Sequence, residues 1–310
     1  MENNYMPEGM IFTQKNDREY TSSISGLEYA MENEIILHGT AVLCDSEHNL
    51  HVDIGEYRGI IPCQETVYNP DGSEVKDIAI ITRVGKNVCF VITNINERDG
   101  KVKITLSRKR AQKICCDNYI SQIECGDVLD VCVTHIERFG VFCDMGCGLV
   151  GLLPIDCISV SRIAHPSERF VCGQTIKCAV KSIERNICRV TLTHKELLGT
   201  WQENAEHFSP GETAAGIVRS VEPYGIFVEL KPNLAGLAEW CEGVSVGQTA
   251  AVYIKSIIPE KMKIKLVIVD VSDSDVNLKD EEYFFNGEHM DEWRYSPEDC
   301  KKEICTYFDN

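Results

Sequence analysis

The sequence predicts a mostly β protein that consists of three tandem five-stranded barrels. The first observation is an internal repeat, because a unit of roughly 70 to 80 residues recurs three times along the chain. The second is the pattern of the clearest copy, residues 126–195, in which short runs rich in valine, isoleucine and leucine alternate with glycine-containing turns. The third is the strand number, since five short strands leave exposed edges unless they close into a barrel.

Five strands are predicted in the central copy, near residues 128–136, 141–145, 149–153, 175–183 and 189–193. A small barrel with this number and length of strands is typical of the oligonucleotide-binding (OB) fold. The sequence therefore assigns an OB-fold barrel, barrel 2, to residues 124–196.

The flanking copies are assigned to barrel 1, residues 35–110, and barrel 3, residues 209–270. Residues 1–34 are interpreted as a polar, disordered tail that leads into a short helix, with Ser25 as its candidate cap. Short helices are expected to join the barrels, and residues 194–208 are predicted to form the second joint.

The first joint carries the densest basic run of the chain, Arg108, Lys109, Arg110 and Lys113. A run of this kind usually marks a solvated helix face, but it can also hold phosphate groups. Both interpretations remain open from the sequence.

The C-terminal segment, residues 271–310, is predicted to be an acidic or short helical tail. Ser296 and Pro297 resemble a cap and first helical turn, and Cys300, Ile304 and either Tyr307 or Phe308 would then form one apolar stripe. Because its charge is negative, the tail is expected to compete with a polyanion for the cations of barrel 3.

The distribution of charge limits the function classes. The formal net charge is −17, and residues 271–310 contribute −8 of it, with twelve acidic against four basic residues. Barrel 2 is nearly neutral, with nine acidic against eight basic residues between positions 121 and 199. This balance argues against a broad groove that tracks phosphates but allows contact with unpaired bases through stacking.

The sixteen cysteines and the start of the chain point to a reducing cytoplasm. Residues 1–20 lack the basic and apolar regions of a signal peptide, and cysteines such as Cys132 and Cys178 fall inside predicted strands, where a small apolar residue serves. Paired CxxC motifs are missing from the sequence, so neither a metal nor another cofactor is expected. No apolar run reaches the length needed to cross a membrane.

The strongest functional signal lies in barrel 2, where Phe139 and Phe142 flank Gly140 at the junction of two predicted strands. If the chain bends at the glycine, both rings share one face of the barrel and provide a platform on which unpaired bases can stack. The alternative is that one or both rings belong to the core, as strand phenylalanines commonly do.

Several motifs of this copy resemble a known family. They are FGVFCDMG from Phe139, GLLPI from Gly151, VCGQ from Val171 and RVTLTHK from Arg189 to Lys195. The chain resembles the S1 RNA-binding domain family of bacterial ribosomal protein S1 and its relatives.

The resemblance implies an RNA face, which in barrel 2 would be formed by Phe139, Phe142, Glu184 and Arg189, with Lys195 at the end of the last motif. A histidine that the family places after the Gly-Leu-Leu turn is Pro154 in this sequence. In barrel 3 the resemblance carries over to Tyr224, Phe227 and Lys263.

Barrels 1 and 3 depart from the family pattern. Barrel 3 has Glu239 at the histidine position, so weaker RNA binding or a different partner is expected. Barrel 1 has His48 and His51 at the positions of the two rings. Family domains that are poor in aromatic residues dock to protein, which makes the turn at Ile60, Ile61 and Pro62 a candidate contact with the small ribosomal subunit; a barrel kept for packing alone is the alternative.

The sequence and the resemblance together predict a non-enzymatic protein that binds single-stranded RNA, such as mRNA, in translation. Three barrels and their joints leave no room for a catalytic domain of ordinary size, which disfavours an RNA-processing enzyme. An RNA-binding regulator or processing factor off the ribosome and a protein–protein adaptor remain alternatives. No membrane partner is expected.

Overall fold

The computed structural model describes residues 5–8, 17–70, 75–98, 101–273 and 282–308. Within these residues the strands form three closed five-stranded barrels in tandem, as the sequence predicts. A further two-stranded sheet lies in the C-terminal segment.

Each barrel uses five consecutive strands. Barrel 1 contains β1 (Leu37–Cys44), β2 (Leu50–Ile54), β3 (Tyr57–Ile61), β4 (Asn87–Arg98) and β5 (Lys101–Ser107). Barrel 2 contains β6 (Val128–Glu137), β7 (Gly140–Gly146), β8 (Leu149–Pro154), β9 (Thr175–Glu184) and β10 (Arg189–Thr193). Barrel 3 contains β11 (Thr213–Glu222), β12 (Gly225–Lys231), β13 (Leu234–Ala238), β14 (Thr249–Ile258) and β15 (Lys263–Ser272).

The three barrels share one topology. The first strand pairs with the second and the fourth, and a parallel pairing between the third and fifth strands closes the barrel. In barrel 2 this closure places Thr191 on β10 beside Leu152 on β8, and in barrel 3 it places Lys265 on β15 beside Leu237 on β13. Closure leaves few unpaired strand edges and fixes which residues share each outer face.

Alternation of apolar and polar residues explains why these runs form strands. On β6, Val131 and Val133 point into barrel 2 and are almost fully buried, as are Val141, Leu153 and Val190 on three other strands. Period-two alternation places the residues between them on the outside. The outer face therefore follows directly from the register.

Five α-helices occur within the described residues: α1 (Asp17–Thr21), α2 (Ile24–Glu32), α3 (Asp77–Ile81), α4 (Arg108–Cys115) and α5 (Trp201–Ala205). The predicted helix before barrel 1 is α2, but its cap is Ser23 rather than Ser25, because the Ser23 side chain accepts the Gly26 N–H at 3.1 Å. No helix in the described ranges is long and apolar enough to span a membrane.

The joint between barrels 1 and 2 is built on a buried ion pair. Arg108, at the start of α4, donates from Nε and Nη2 to the two carboxylate oxygens of Glu8 at 2.7 and 2.9 Å. Both side chains are buried, and the Cys89 N–H of barrel 1 also donates to Glu8. The N-terminal residues near Glu8 thus pack between the barrels, so the prediction of a disordered tail is wrong for this part.

The basic run of this joint is not a uniformly solvated face. Arg108 is buried against Glu8, and Arg110 forms an ion pair with Glu34. Lys109 and Lys113 remain exposed. A sequence window cannot reveal this division, because Glu8 lies 100 positions from Arg108.

The joint between barrels 2 and 3 is also polar and mostly buried. Glu229 on β12 accepts from Arg169 of the β8–β9 loop at 2.7 Å and from Arg219 on β11 at 2.6 Å. Asn233 donates to the backbone oxygens of Lys195 and Gly199. The predicted helix over 194–208 is replaced by a 3-10 turn, Lys195–Leu198, followed by α5.

The C-terminal segment packs on the barrels instead of forming a helical tail. Residues Glu292–Arg294 (β16) and Cys305–Tyr307 (β17) pair as a small antiparallel sheet. Ser296 does not cap a helix, because its Oγ accepts the Ile304 N–H across the connecting loop at 3.0 Å. The predicted stripe of Cys300 and Ile304 therefore does not exist as a helix face.

This segment belongs to the core that it covers. Met290, Trp293, Tyr295 and Phe308 are buried in the same cluster as the interior of barrel 3. The Val128 N–H of barrel 2 donates to the Glu288 oxygen at 2.8 Å, so the segment also holds barrel 2. The expectation of a free tail that competes with a polyanion is wrong for residues 282–308; residues 274–281 lie outside the described residues.

All sixteen cysteines lie within the described residues, and fourteen of them are free thiols. Cys116 and Cys188 form a disulfide, contrary to the expectation of reduced thiols throughout. This bond ties the π-helical turn Cys116–Ile120, after α4, to the turn between β9 and β10 of barrel 2. In the described residues no group of three metal-ligating side chains comes together.

Candidate nucleic-acid interface

Two neighbouring rings stand on the outside of barrel 2. Phe139 is 56% exposed and Phe142 is half-buried, and their centroids lie 5.9 Å apart with the ring planes at 89°. A side chain at Gly140 would place its Cβ 2.5 Å from the Leu153 oxygen, so only glycine allows this close approach of β7 to β8. The rings therefore share one face and are not part of the buried core.

The register of barrel 2 extends this face across four strands. Phe142 on β7 lies opposite His135 on β6 and opposite Leu152 on β8, and Leu152 lies beside Thr191 on β10. Adjacent strands are about 5 Å apart, so these four residues form one continuous row. We call this row, together with Phe139, the platform of barrel 2.

Glu184 and Arg189 lie at the edge of this face. They are directly opposite each other at the turn between β9 and β10, and Arg189 Nη1 lies 3.5 Å from Glu184 Oε1. Both side chains are more than half exposed, so the pair is weak and the guanidinium is available to a phosphate. Arg189 points to the same side as Thr191, two residues further along the strand.

Lys195 is not part of the platform. It follows β10 in a 3-10 turn, and its ammonium donates to the Asp156 oxygen at 3.2 Å. Its own backbone oxygen accepts from Asn233 at the joint with barrel 3. The structure thus places this predicted RNA contact in the joint.

Barrel 3 repeats the arrangement with more positive charge. Tyr224 is 69% exposed, and its ring centroid lies 6.2 Å from that of Phe227 at 84°. Phe227 lies opposite Ser220 on β11 and Leu237 on β13, and Leu237 lies beside Lys265 on β15. We call this row, together with Tyr224, the platform of barrel 3.

Two features modify the expectation that barrel 3 binds RNA more weakly. Lys263 and Lys265 are both exposed on the side of its platform, where barrel 2 has Arg189 and Thr191. Glu239, at the family's histidine position, is 90% exposed and lies 4.0 Å from Lys255, so part of its charge is balanced. Weaker binding by barrel 3 stays a prediction.

Barrel 1 has a different face. His51 lies 3.3 Å from Asp45, and His48 lies 3.2 Å from Asp77. Hydrogen bonds from the backbone and side chain of Asn49 lower the pKa of Asp45 to about 2, so this carboxylate stays charged beside the imidazole. Negative charge at the ring positions does not favour an RNA backbone.

The predicted partner surface of barrel 1 is only partly exposed. Ile61 is fully buried in the barrel and cannot contact a partner. Ile60 and Pro62 are half-buried, and Ile60 lies opposite His51 on the outer face.

Next to the rings, part of the outer face of barrel 2 is covered by the residues of the joint with barrel 1. Asp144 follows Phe142 by two residues on β7 and is buried. Burial and the neighbouring charge of Glu8 raise the pKa of Asp144 to about 7, although N–H groups of Glu8 and Gly146 donate to it. In barrel 3, Glu229 occupies the corresponding position, two residues after Phe227. It is buried and forms ion pairs with Arg169 and Arg219.

The sequence profile of the S1 RNA binding domain matches residues 122–195. This part of the chain is similar to the S1 RNA binding domain. The matched residues coincide with barrel 2, which carries the pair of neighbouring phenylalanine rings.

Two curated relatives extend the likeness beyond barrel 2. The chain is 29% identical over 261 residues to the small ribosomal subunit protein bS1 homolog of Bacillus cereus, covering 80% of this chain and 64% of that protein. It is 28% identical over 239 residues to the bS1 homolog of Bacillus subtilis, covering 74% of this chain and 58% of that protein. The chain thus spans about three fifths of the length of these relatives.

Sequence reasoning missed several residues of the two platforms. His135, Leu152 and Leu237 are placed on them only by the strand register. Arg138 is exposed next to Phe139. Period-two alternation counted from Phe142 and Phe227 identifies Leu152 and Leu237 once the hairpins are aligned, but the position of His135 also depends on a bulge between Val133 and His135.

Proposed function

We propose that this protein is a non-enzymatic, single-stranded RNA-binding protein of the ribosomal S1 type. The observation that carries the proposal is the exposed pair of rings on barrel 2, repeated on barrel 3. Phe139 and Tyr224 are more than half exposed and each contacts a second ring, so two aromatic surfaces are open to a partner. The match of barrel 2 to the S1 RNA binding domain supports RNA as that partner.

The geometry favours unpaired bases over a duplex. A ring that projects from a barrel can stack only on a base whose face is free, which excludes bases inside a helix. Each stacked base contributes roughly 1 to 3 kcal/mol and requires no particular sequence. Arg189, Lys263 and Lys265 supply phosphate contacts next to the rings.

Two platforms on one chain bind RNA more tightly than either platform binds it alone. After the first platform binds, the second encounters the same RNA at a high effective concentration. The Arg169–Glu229 contact and Asn233 fix barrel 3 against barrel 2, so little orientational freedom remains to be lost on binding. A tandem of this kind suits a long, unstructured strand such as mRNA.

We further propose that the protein acts in the cytoplasm, in translation, with the small ribosomal subunit as its partner. The relatives of Bacillus cereus and Bacillus subtilis are named as homologs of a small-subunit protein. Barrel 1 is the candidate docking barrel, because its ring positions are occupied by His48 and His51 beside carboxylates. Co-sedimentation of the protein with isolated small subunits, compared with a variant that lacks barrel 1, tests this assignment.

The test of RNA binding is fluorescence anisotropy with a labelled oligouridylate. Replacing both Phe139 and Phe142 with alanine should weaken binding by about 2 kcal/mol, or about 30-fold, because the stacking surface of barrel 2 is lost. The matched control is Val171→Ala, which removes another exposed apolar side chain of the same barrel from a loop.

The same experiment separates the alternatives. A double variant that loses its cooperative melting would show that the rings are core residues. Wild-type protein that binds no RNA at low salt would favour a protein–protein adaptor. Intact binding together with cleavage of the labelled RNA would overturn the non-enzymatic assignment.

A further inference from the structure

Barrel 2 carries a third ring that the S1 resemblance does not assign. The His135 imidazole on β6 is stacked with Phe142, with centroids 6.2 Å apart and planes 26° from parallel. Phe142 in turn contacts Phe139. Three rings thus follow each other across two strands, from Phe139 through Phe142 to His135.

This third ring is exposed and held in place. The His135 side chain is 62% exposed, and its Nε2 donates to Glu137 Oε1 at 2.8 Å. The two residues are two positions apart on one strand, so they stand on the same side of it. An exposed imidazole whose orientation is fixed loses little conformational entropy when a base stacks on it.

The position of His135 shifts the platform away from the place where the family has its histidine. In this chain that place is Pro154 on β8, and the neighbour of Phe142 on β8 is Leu152. The ring is supplied instead from β6, on the opposite side of Phe142. We propose that His135 is an RNA-binding residue of barrel 2, which stacks on the base next to the one held by Phe142.

The proposal rests on the proposed function and deepens it, because it specifies the path that the bound RNA takes across barrel 2. RNA on barrel 2 crosses β7 and continues over β6, so that this barrel engages one more nucleotide than the phenylalanine pair alone would engage. Barrel 3 lacks this third ring, because Ser220 occupies the corresponding position opposite Phe227. The two platforms therefore differ in the number of bases that they stack.

The first test measures barrel 2 within the full chain. In protein that carries Tyr224→Ala and Phe227→Ala, the ring pair of barrel 3 is removed, and His135→Ala should weaken oligouridylate binding roughly fivefold or more. Oligouridylates of increasing length provide a second readout, since affinity in the His135→Ala variant should level off one nucleotide earlier. The matched control is His165→Ala, which removes a histidine from the β8–β9 loop of the same barrel.

The second test transfers the ring to barrel 3. Glu222 follows Ser220 by two positions, as Glu137 follows His135, so the carboxylate that holds the imidazole is already present. In protein that carries Phe139→Ala and Phe142→Ala, Ser220→His should strengthen binding severalfold and lengthen the bound RNA by one nucleotide.

The outcomes distinguish this inference from the proposed function. If Phe139→Ala with Phe142→Ala weakens binding but His135→Ala changes neither affinity nor length dependence, His135 is not an RNA contact and the S1-type function stands. If none of these variants affects RNA binding, the two platforms are not the RNA-binding site and this inference fails with them; if the wild-type protein binds no RNA, the proposed function itself fails. Unchanged melting temperatures of the His135 and His165 variants exclude unfolding as the cause of a loss.

Discussion

The buried carboxylate Asp144 shows how a single residue links the RNA face to the joint beneath it. It lies two positions after Phe142, and its oxygens accept N–H groups from Glu8, Gly146 and Gly148. These bonds favour the charged form, whereas burial and the charge of Glu8 oppose it. The pKa of Glu8 shifts in the opposite direction. Burial alone would raise it, but the charges of Arg108 and Arg83 lower it below the ordinary value.

The structure therefore predicts that Asp144 titrates near neutrality. Burial and Glu8 raise its pKa from 3.8 to about 7, so the folded protein holds the proton more tightly than the unfolded chain does. Folding stability from this group is then fully present below about pH 4 and is lost as the pH rises to about 7. The carbon-13 shift of its carboxyl carbon, identified by its absence in Asp144→Asn, should change with a midpoint near pH 7. A midpoint below pH 5 would contradict the prediction.

At the scale of single residues, the sequence was most informative where one position determines geometry. A glycine between two aromatic residues predicts a bend that brings Phe139 and Phe142 to one face. The structure shows why glycine is needed there, because a Cβ at Gly140 would meet the Leu153 oxygen. The sequence could not place Lys195, whose role depends on Asn233 in another barrel. Nor could it identify Arg108 as buried, since its partner Glu8 lies in a distant segment.

Among the secondary-structure elements, the strands followed their local pattern and the C-terminal segment did not. Period-two alternation places the strands of barrel 2 almost as predicted, because one face of each strand is buried. In the C-terminal segment, Ser296 and Pro297 give a helix-start signal, but Tyr295 and Ile304 pair across the loop instead. Burial of Trp293 and Phe308 against barrel 3 outweighs the local preference.

This packing predicts that the C-terminal segment stabilises barrel 3. Trp293 on β16 is only 6% exposed, and its ring centroid lies 5.4 Å from that of Tyr295. Trp293→Ala should lower the free energy of unfolding by about 3 to 5 kcal/mol, since a large buried side chain is replaced by a cavity. Urea unfolding measures this change.

The control lies in the same small sheet. Tyr307 on β17 is 59% exposed, and Tyr307→Ala should change stability by less than about 1 kcal/mol. A Trp293→Ala variant that is as stable as wild type and binds random RNA more strongly would contradict this prediction. It would support the hypothesis that the C-terminal segment competes with RNA.

At the scale of the whole molecule, the joints turn three small barrels into one larger body. Barrels of this size are only modestly stable alone. Glu8 with Arg108 joins barrels 1 and 2, and Glu229 with Arg169 joins barrels 2 and 3. The internal repeat predicts the number of barrels. It does not predict the joints, because the partners of the buried groups lie far away in sequence: Glu8 lies 100 positions from Arg108, and Arg169 lies 60 positions from Glu229.

The last prediction concerns the net charge of −17 and the few cations beside the rings. On the described parts of the two faces these cations include Arg138, Arg189, Lys263 and Lys265. Each neutralised phosphate of a single strand contributes about −0.7 to the slope of log affinity against log salt. Three or four contacts therefore predict a slope between about −2 and −3, which is shallow because stacking supplies much of the binding energy. Anisotropy titrations over a range of salt concentrations give this slope, and Lys263→Gln with Lys265→Gln should make it shallower by about 1.4. A wild-type slope steeper than about −3.5 would place the main contacts elsewhere, and Lys109 and Lys113 on α4 would then be the residues to replace.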